Sequence, residues 1–258
     1  MSWSYHPGMV MCIDVGNSTI KVARVTDGAV GLVARTATSA DPETAVDTLP
    51  IGDPMTVASA TIALVSVVPA WTEAIRDIAA GLGWTLIEAH AGSIPMPIRL
   101  DHPERVGTDR LLGAWTAREL FGAPVVVVDI GTATTVDVVD GEGAFVGGAI
   151  MPGPELAIRS LAMDTALLPA VPPRMPDRVI GRDTVEAIQS GVVLGHLAAI
   201  EGLLALITHE LDGAEPPTVV LTGGGATGFG SIDGVDRVEP NLLLRGLGML
   251  AELSVATR

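Results

Sequence analysis

The sequence predicts an α/β chain of two related lobes, and three observations carry that prediction. A strand–turn–strand opening occurs twice, once near residue 10 and again near residue 125. Short apolar runs alternate with helix-period stretches after each opening. Hydrophobic residues make up 48% of the chain but aromatics only 3%, so the core is built from Val, Leu, Ile and Ala. That usage suits buried parallel strands covered by helices of small residues. At 258 residues the chain is long enough for one large domain or two small lobes, each with its own core.

In the first half an apolar strand over residues 9–13 leads into Asp14-Val15-Gly16-Asn17-Ser18-Thr19. A second strand over residues 20–25, an Asp27-Gly28 turn and a third strand over residues 29–34 follow. Asp-Gly between alternating apolar segments is a strong hairpin signal. A strand over residues 61–68, a helix over 70–80, a strand over 84–88 and a helix over 103–120 complete this half. The second half repeats the order: a strand over 125–128, Asp129-Ile130-Gly131-Thr132-Ala133-Thr134-Thr135, a strand over 136–139, an Asp140-Gly141 turn and a strand over 144–150. The Pro-rich residues 168–176 predict a surface loop. One long helix is expected over 183–211, a strand over 218–221 and a closing helix over 241–253. The lobes are therefore expected at residues 1–121 and 122–258, with a ligand cleft between them.

Charge and composition exclude several classes of function. Thirty acidic against fifteen basic residues give a formal charge of −15. Lys21 is the only lysine and the arginines are scattered, whereas nucleic acid and anionic membranes need clustered basic groups. The most apolar stretch, residues 192–207, is interrupted by His196 and Glu201, so no run approaching the roughly 20 residues of a membrane span is expected. Residues 1–9 lack a cationic start followed by an apolar core, and a cytoplasmic protein is the expectation. The single cysteine, Cys12, excludes an internal disulfide and a Cys-based metal cluster. Its apolar surroundings predict a buried, inert thiol.

A lone D-x-G is usually only a tight turn. Two copies, each after an apolar strand and each followed by hydroxyl residues, point to a pair of phosphate loops. Gly16 and Gly131 let the backbone turn sharply and approach a ligand. Turn amides, with the side chains of Asn17, Ser18, Thr132 and Thr134, can form a concave anion nest. The carboxylates of Asp14 and Asp129 then face phosphates only through cations or water. Two such loops across a cleft make an ATP clamp. The common alternatives are weak: no G-x-x-x-x-G-K-[ST] loop exists. The G-x-G-x-x-G run at residues 223–228 is followed by Phe229 to Val235, which does not read as the helix a dinucleotide site needs. That run instead gives close backbone access for a flat adenine. Phosphoryl transfer to a hydroxyl needs a positioned base and a cationic surrounding, and Gly107-Thr108-Asp109-Arg110 supplies both. Alone, an Asp–Arg neighbour pair is more often an exposed ion pair.

Taken together, Asp14 to Thr19, Gly107-Thr108-Asp109-Arg110, Asp129 to Thr135 and Thr222-Gly223-Gly224-Gly225 resemble, in order and spacing, the type III pantothenate kinases of the actin-like, sugar-kinase-like ATPase superfamily. The likeness runs from about residue 9 to residue 253. Gly147 to Gly153 and Ile180-Gly181-Arg182-Asp183-Thr184 also resemble family segments. The resemblance implies two actin-like (ribonuclease H-like) lobes and conversion of pantothenate to 4′-phosphopantothenate, the first step of coenzyme A biosynthesis. On it, Asp14, Val15, Gly16, Asn17, Ser18, Thr19, Ile20 and Lys21 would line the ATP phosphates, with Thr132 reaching them from the second lobe. Gly107, Thr108, Asp109 and Arg110 would hold pantothenate, Asp109 as the general base and Arg110 balancing charge. Asp129 would ligate a monovalent cation, potassium or ammonium, and magnesium (Mg2+) would arrive with ATP. Thr184 would touch substrate across a homodimer interface, although Asp183 or Thr184 also suits the N-cap of the long helix.

One departure stands out. Family members commonly carry Tyr-x-Asn-Pro before Gly-x-Asp-Arg, and this chain has Leu100-Asp101-His102-Pro103. The lost tyrosine hydroxyl and amide would alter the grip on substrate, and His102 is a candidate replacement donor. The other histidines, His6, His90, His196 and His209, show no metal-ligand spacing. The rival readings are a non-catalytic or regulatory nucleotide-binding protein of the same fold and a kinase for another small metabolite.

Overall fold

The structure, a computed structural model, describes residues 10–38, 41–42, 49, 61–211, 213, 215–226, 228–229 and 231–256. Two sheets organise it. The first contains β1 (Val10–Val15), β2 (Thr19–Thr26), β3 (Ala29–Val30), β4 (Ala34–Ala37), β5 (Thr61–Ser66) and β6 (Thr85–Glu88). Its order is β3-β2-β1-β5-β6, with β4 also paired to β2. The second contains β7 (Val125–Ile130), β8 (Ala133–Val139), β9 (Phe145–Pro152), β10 (Thr218–Thr222) and β11 (Arg237–Val238), in the order β11-β10-β7-β8-β9. In both, the opening strands pair antiparallel and the later two add in parallel on the far side of the first strand. The sequence repeat is thus a repeat of sheet topology.

Burial explains the strand composition. β1 lies between β2 and β5, and every residue of it is buried, which is why Val10 to Ile13 is apolar without alternation. Cys12 is among these residues, fully buried, and burial pushes its thiol far above the usual range. The Asp27-Gly28 turn forms as expected, with φ of 49° and 72°, the left-handed pair of a two-residue hairpin. The expected third strand over 29–34 is instead two pieces: β3 follows the hairpin, and β4 pairs farther along β2, Ala37 opposite Thr19. The Asp140-Gly141 turn is also longer than two residues. Asp140 Oδ1 accepts the N–H groups of Glu142 and Ala144, and Gly143 takes φ 79°.

By compactness the chain divides into residues 1–95, 102–116 and 241–258 on one side and residues 96–101 and 117–240 on the other. The expected lobes, 1–121 and 122–258, differ from this at their ends. The closing helix, α5 (Leu242–Ala256), lies against β1, β2 and β5 of the first unit. Its Gly246 meets Thr116 of α2 (Thr108–Phe121). An apolar helix pattern does not say which sheet it will cover, so sequence order assigned α5 to the wrong unit.

In the first unit, α1 (Pro69–Leu82) starts with Pro at the first helical turn and ends at Gly83 in the left-handed conformation. Its buried Trp71, Ile75 and Ala79 cover Met11, Ile13, Ile62 and Leu64. In the second unit, α3 (Pro154–Asp164) follows Gly153; no helix was expected there. The long helix α4 (Thr184–Glu210) packs Leu197, Ile200 and Leu204 against Val126, Val128, Val136 and Leu221. Residues Ser190–Leu194 of α4 form a π-turn, where the Gly195 N–H donates to Ser190 O five residues back. At 27 residues, α4 is long and apolar enough to cross a membrane by length and composition. The expectation of no such stretch counted only residues 192–207, whereas the helix extends to Thr184. In this chain 28% of its most apolar window is buried.

Candidate active site

Asp14 sits at the end of β1, opposite Lys21 on β2. Lys21 Nζ lies 3.4 Å from Asp14 Oδ2. Both side chains are largely shielded, so this pair is not an ordinary solvated one. Burial raises the Asp14 carboxyl above its usual range; Lys21 pulls it down and the charge of Asp109 pushes it further up. Asp14, Lys21 and Asp109 therefore share one electrostatic neighbourhood in the first unit. The loop between the strands is closed by the Gly16 N–H donating to Thr19 O at 3.0 Å. Thr38 holds it from outside: its hydroxyl donates to Gly16 O at 2.8 Å and its N–H to Ser18 O at 3.1 Å. Trp71 in turn donates its indole N–H to Thr38 O. Asn17 and Ser18 form the exposed tip, where a phosphate can approach.

The expected helix over 103–120 is broken. Pro103–Arg105 is a single 3-10 turn, and α2 begins only at Thr108. Gly107 accepts the first helical bond, from the Leu111 N–H, so Thr108, Asp109 and Arg110 lie in the first turn, whose N–H groups lack helical partners. Asp109 Oδ1 accepts the Arg110 N–H at 2.9 Å. His102 is exposed, with Nδ1 3.5 Å from Glu104 Oε1. Leu100 lies against Gly147 of β9, anchored where residues 97–99 pair with Phe145.

In the second unit the counterpart loop is one residue shorter. Asp14 pairs with Lys21, seven residues on, and Asp129 with Thr135, six residues on. The Gly131 N–H closes this turn onto Ala133 O at 3.1 Å, and the Gly153 N–H donates to Thr132 O at 3.0 Å. A Cβ at Gly153 would collide with Gly131 O, so the start of α3 is pressed against the loop. Asp129 lies opposite Thr222 of β10, and the next residue, Gly223, has φ 95° and no room for a side chain beside Asp129 Oδ1. The Gly225 N–H donates to Ile130 O. Asp129, Thr132 and the glycine run are thus brought together. Residues 229 and 231–235, the described residues directly after that run, form no helix, in line with the sequence reading.

Sequence reasoning missed one polar contact here. Thr134, fully buried on β8, has its hydroxyl 3.0 Å from Nε2 of His196 on α4, and burial lowers the His196 pKa. A lone histidine in an apolar helix gives no spacing signal, so nothing in the sequence singled it out. Thr184 begins α4. Asp183 is its N-cap, accepting the Glu186 N–H at 2.8 Å, which leaves the Thr184 side chain exposed. With Leu161, Leu168, Ile188 and Gly191 it lines an open cavity of about 770 Å³.

The family described as Type III pantothenate kinase matches residues 10–206. A relative of that name from Phenylobacterium zucineum is 44% identical over 163 residues, 63% of each chain. Another, from Streptomyces coelicolor, is 34% identical over 273 residues, covering 96% of this chain and 99% of its own. Among solved structures, a Baf family protein from Campylobacter jejuni, described as a transcriptional activator, superposes with a TM-score of 0.62 at 16% identity, covering 95% of this chain and 99% of its own. MreB5 of Spiroplasma citri bound to AMPPNP gives 0.53 at 14% identity, covering 98% of both chains. At such identities these two speak for the fold alone.

Proposed function

Since the chain belongs to the type III pantothenate kinase family, we propose that it moves the γ-phosphoryl group of ATP to the primary hydroxyl of pantothenate, giving 4′-phosphopantothenate and ADP for coenzyme A biosynthesis. The observation that carries this reading is the duplicated Asp-x-Gly loop on two sheets of one topology, with Gly107-Thr108-Asp109-Arg110 at a helix start whose Asp109 is electrostatically coupled to Asp14.

In this reading Asp14, Val15, Gly16, Asn17, Ser18, Thr19, Ile20 and Lys21 line the ATP phosphates, Lys21 supplying positive charge, and Thr132 contributes from the second loop. Gly107, Thr108, Asp109 and Arg110 hold pantothenate. Asp109 takes the hydroxyl proton as that oxygen attacks the γ-phosphorus and the bond to the ADP oxygen breaks. Little covalent work falls to the protein, so positioning and charge neutralisation carry the catalysis. Asp129, a carboxylate beside glycine backbone, is a hard-oxygen donor that suits potassium or ammonium, which would offset phosphate charge. Among the described residues no three His, Cys, Asp or Glu side chains converge on a metal position, and Mg2+ would be held through ATP.

A cytoplasmic homodimer completes the reading, with α4 in the interface and Thr184 reaching the partner's substrate. Its support is the apolar surface that the single chain leaves exposed at Met163, Val179, Ile180, Val185 and Leu206. Light scattering with activity measured on dilution tests this, and a monomer of full specific activity would remove both the interface and the role of Thr184. The net charge of −15 speaks against nucleic acid and anionic membrane as partners, and so against a DNA-binding activator. The decisive assay is ADP release with and without pantothenate, for wild type and Asp109→Asn. Loss of a general base typically lowers the rate about 10²–10⁴-fold, and a variant that turns over like wild type would show that Asp109 is not the base.

A further inference from the structure

Gly107 stands directly before α2, and its φ lies outside the left-handed region, so no backbone requirement calls for glycine there. What does call for it is a single atom. A Cβ at this position would collide with Oδ1 of Asp109, while its next neighbours, Asp109 Cγ at 3.6 Å and Arg110 Cγ at 3.8 Å, stand at ordinary contact distance. Beyond the adjoining residues, no backbone atom is nearer to that position than 3.8 Å. The same Oδ1 accepts the Arg110 N–H at 2.9 Å. The carboxylate is therefore fixed on one side by a first-turn amide and occupies, on the other, the space a side chain would fill.

We propose that Gly107 is a positioning residue whose missing side chain reserves the place of the Asp109 carboxylate. With Oδ1 held by the Arg110 N–H, Oδ2 is presented to the substrate hydroxyl. This deepens the role of Asp109 set out above and rests on it. The prediction differs from that for a glycine packed against backbone. The colliding atom is the tip of a rotatable side chain, so the strain of Gly107→Ala is relieved by turning Asp109 about χ1. The fold keeps its stability and the reactive group leaves its place.

The test compares wild type, Gly107→Ala, Asp109→Ala and the double variant Gly107→Ala/Asp109→Ala. The single glycine variant should melt within about 2 °C of wild type, the range of a substitution that strains nothing else. Its kcat should fall by about 10²-fold, as displacing a catalytic group by about an ångström does, with the KM for ATP unchanged. In the Asp109→Ala background the same substitution should change nothing further, because the atom it displaces is gone. A crystal structure of Gly107→Ala should show Asp109 Oδ1 outside hydrogen-bond distance of the Arg110 N–H.

A Gly107→Ala enzyme with wild-type kcat, or one whose carboxylate keeps its hydrogen bond, overturns the inference while leaving Asp109 as the base. So does an equal loss in both backgrounds, which would assign Gly107 a role independent of that carboxylate. Wild-type turnover by Asp109→Ala is a separate result: it removes the proposed base itself.

Discussion

Gly223→Ala is predicted to destabilise the protein through a mechanism that can be worked from the structure. Gly223 follows β10 with φ 95°, and a Cβ there would lie 2.5 Å from Ile130 O and 2.7 Å from Ile130 N, as well as colliding with Asp129 Oδ1. Two of those three obstacles are backbone of a central strand and cannot rotate away. Holding an L-residue at positive φ costs about 1–2 kcal/mol, and overfilling a packed site about 1–3 kcal/mol more. The sum, roughly 2–5 kcal/mol, corresponds to a melting-temperature loss of roughly 4–20 °C at about 2–4 °C per kcal/mol for a chain of this size. Gly224→Ala is the matched control, since nothing lies within 4 Å of its Cβ position. Thermal unfolding followed by circular dichroism compares the three proteins directly. Equal melting temperatures for Gly223→Ala and wild type would refute the reasoning, because neither the φ strain nor the collision with Ile130 could then be real.

Asp14→Asn should exchange function for stability. The folded carboxyl pKa lies above its unfolded value, mainly through burial, so the native state binds the extra proton. The stability tied to it is complete below the unfolded value near 3.8 and is lost as pH rises from there through the raised folded value. The neutral amide removes that penalty: its melting temperature should exceed that of wild type at pH 7, the gap should close on acidification, and ATP turnover should be lost. His196 has the opposite sign. Its folded pKa is lowered by burial, so its contribution is complete above the unfolded value of about 6.5 and is lost as pH falls below it. His196→Gln, which retains a partner for Thr134, should therefore lose less melting temperature than wild type between pH 7.5 and 5.5, and equal losses would exclude His196 as the group that titrates. Activity should need potassium or ammonium besides Mg2+, and full turnover in sodium-only buffer would remove Asp129 from its cation role.

What was legible in the sequence was local and repeated. The apolar runs before Asp14 and Asp129 are central strands buried on both faces, so they contain no polar residue to blur the signal. Asp27-Gly28 encodes its turn in two residues, one of which tolerates positive φ. Helix α3 was hidden because the Pro154 that starts it also reads as a breaker after the expected strand over 144–150. Helix α2 was placed too early because Pro103 offers a good helix start, but only a single 3-10 turn forms before Val106. The site was legible as motifs but not as a constellation. The coupling of Asp14 to Asp109 spans 95 residues, and the His196–Thr134 contact spans 62, distances over which periodicity carries no information. The collision geometry around Gly107 and Gly223 needs coordinates, since sequence alone cannot distinguish a glycine that turns from one that makes room.

The π-turn in α4 fixes the phase of the helix. The buried apolar residues Val193, Leu197, Ile200 and Leu204 follow α-helical spacing, but the buried apolar residue before them, Ile188, lies five positions back, with only the polar Ser190 buried between. In a continuous α-helix a five-residue step turns about 500°, leaving Ile188 roughly 140° from the stripe; the wider π-turn returns it towards the core. The segment therefore behaves as a one-residue insertion absorbed within the helix. Deleting a single residue from Ser190–Leu194 would restore an ordinary helix and rotate everything before it by about 100° relative to the half anchored on the second sheet. Thr184 would then face a different direction although no residue near it had changed. Insertions and deletions in this stretch are thus silent for helix content and decisive for where the helix start points.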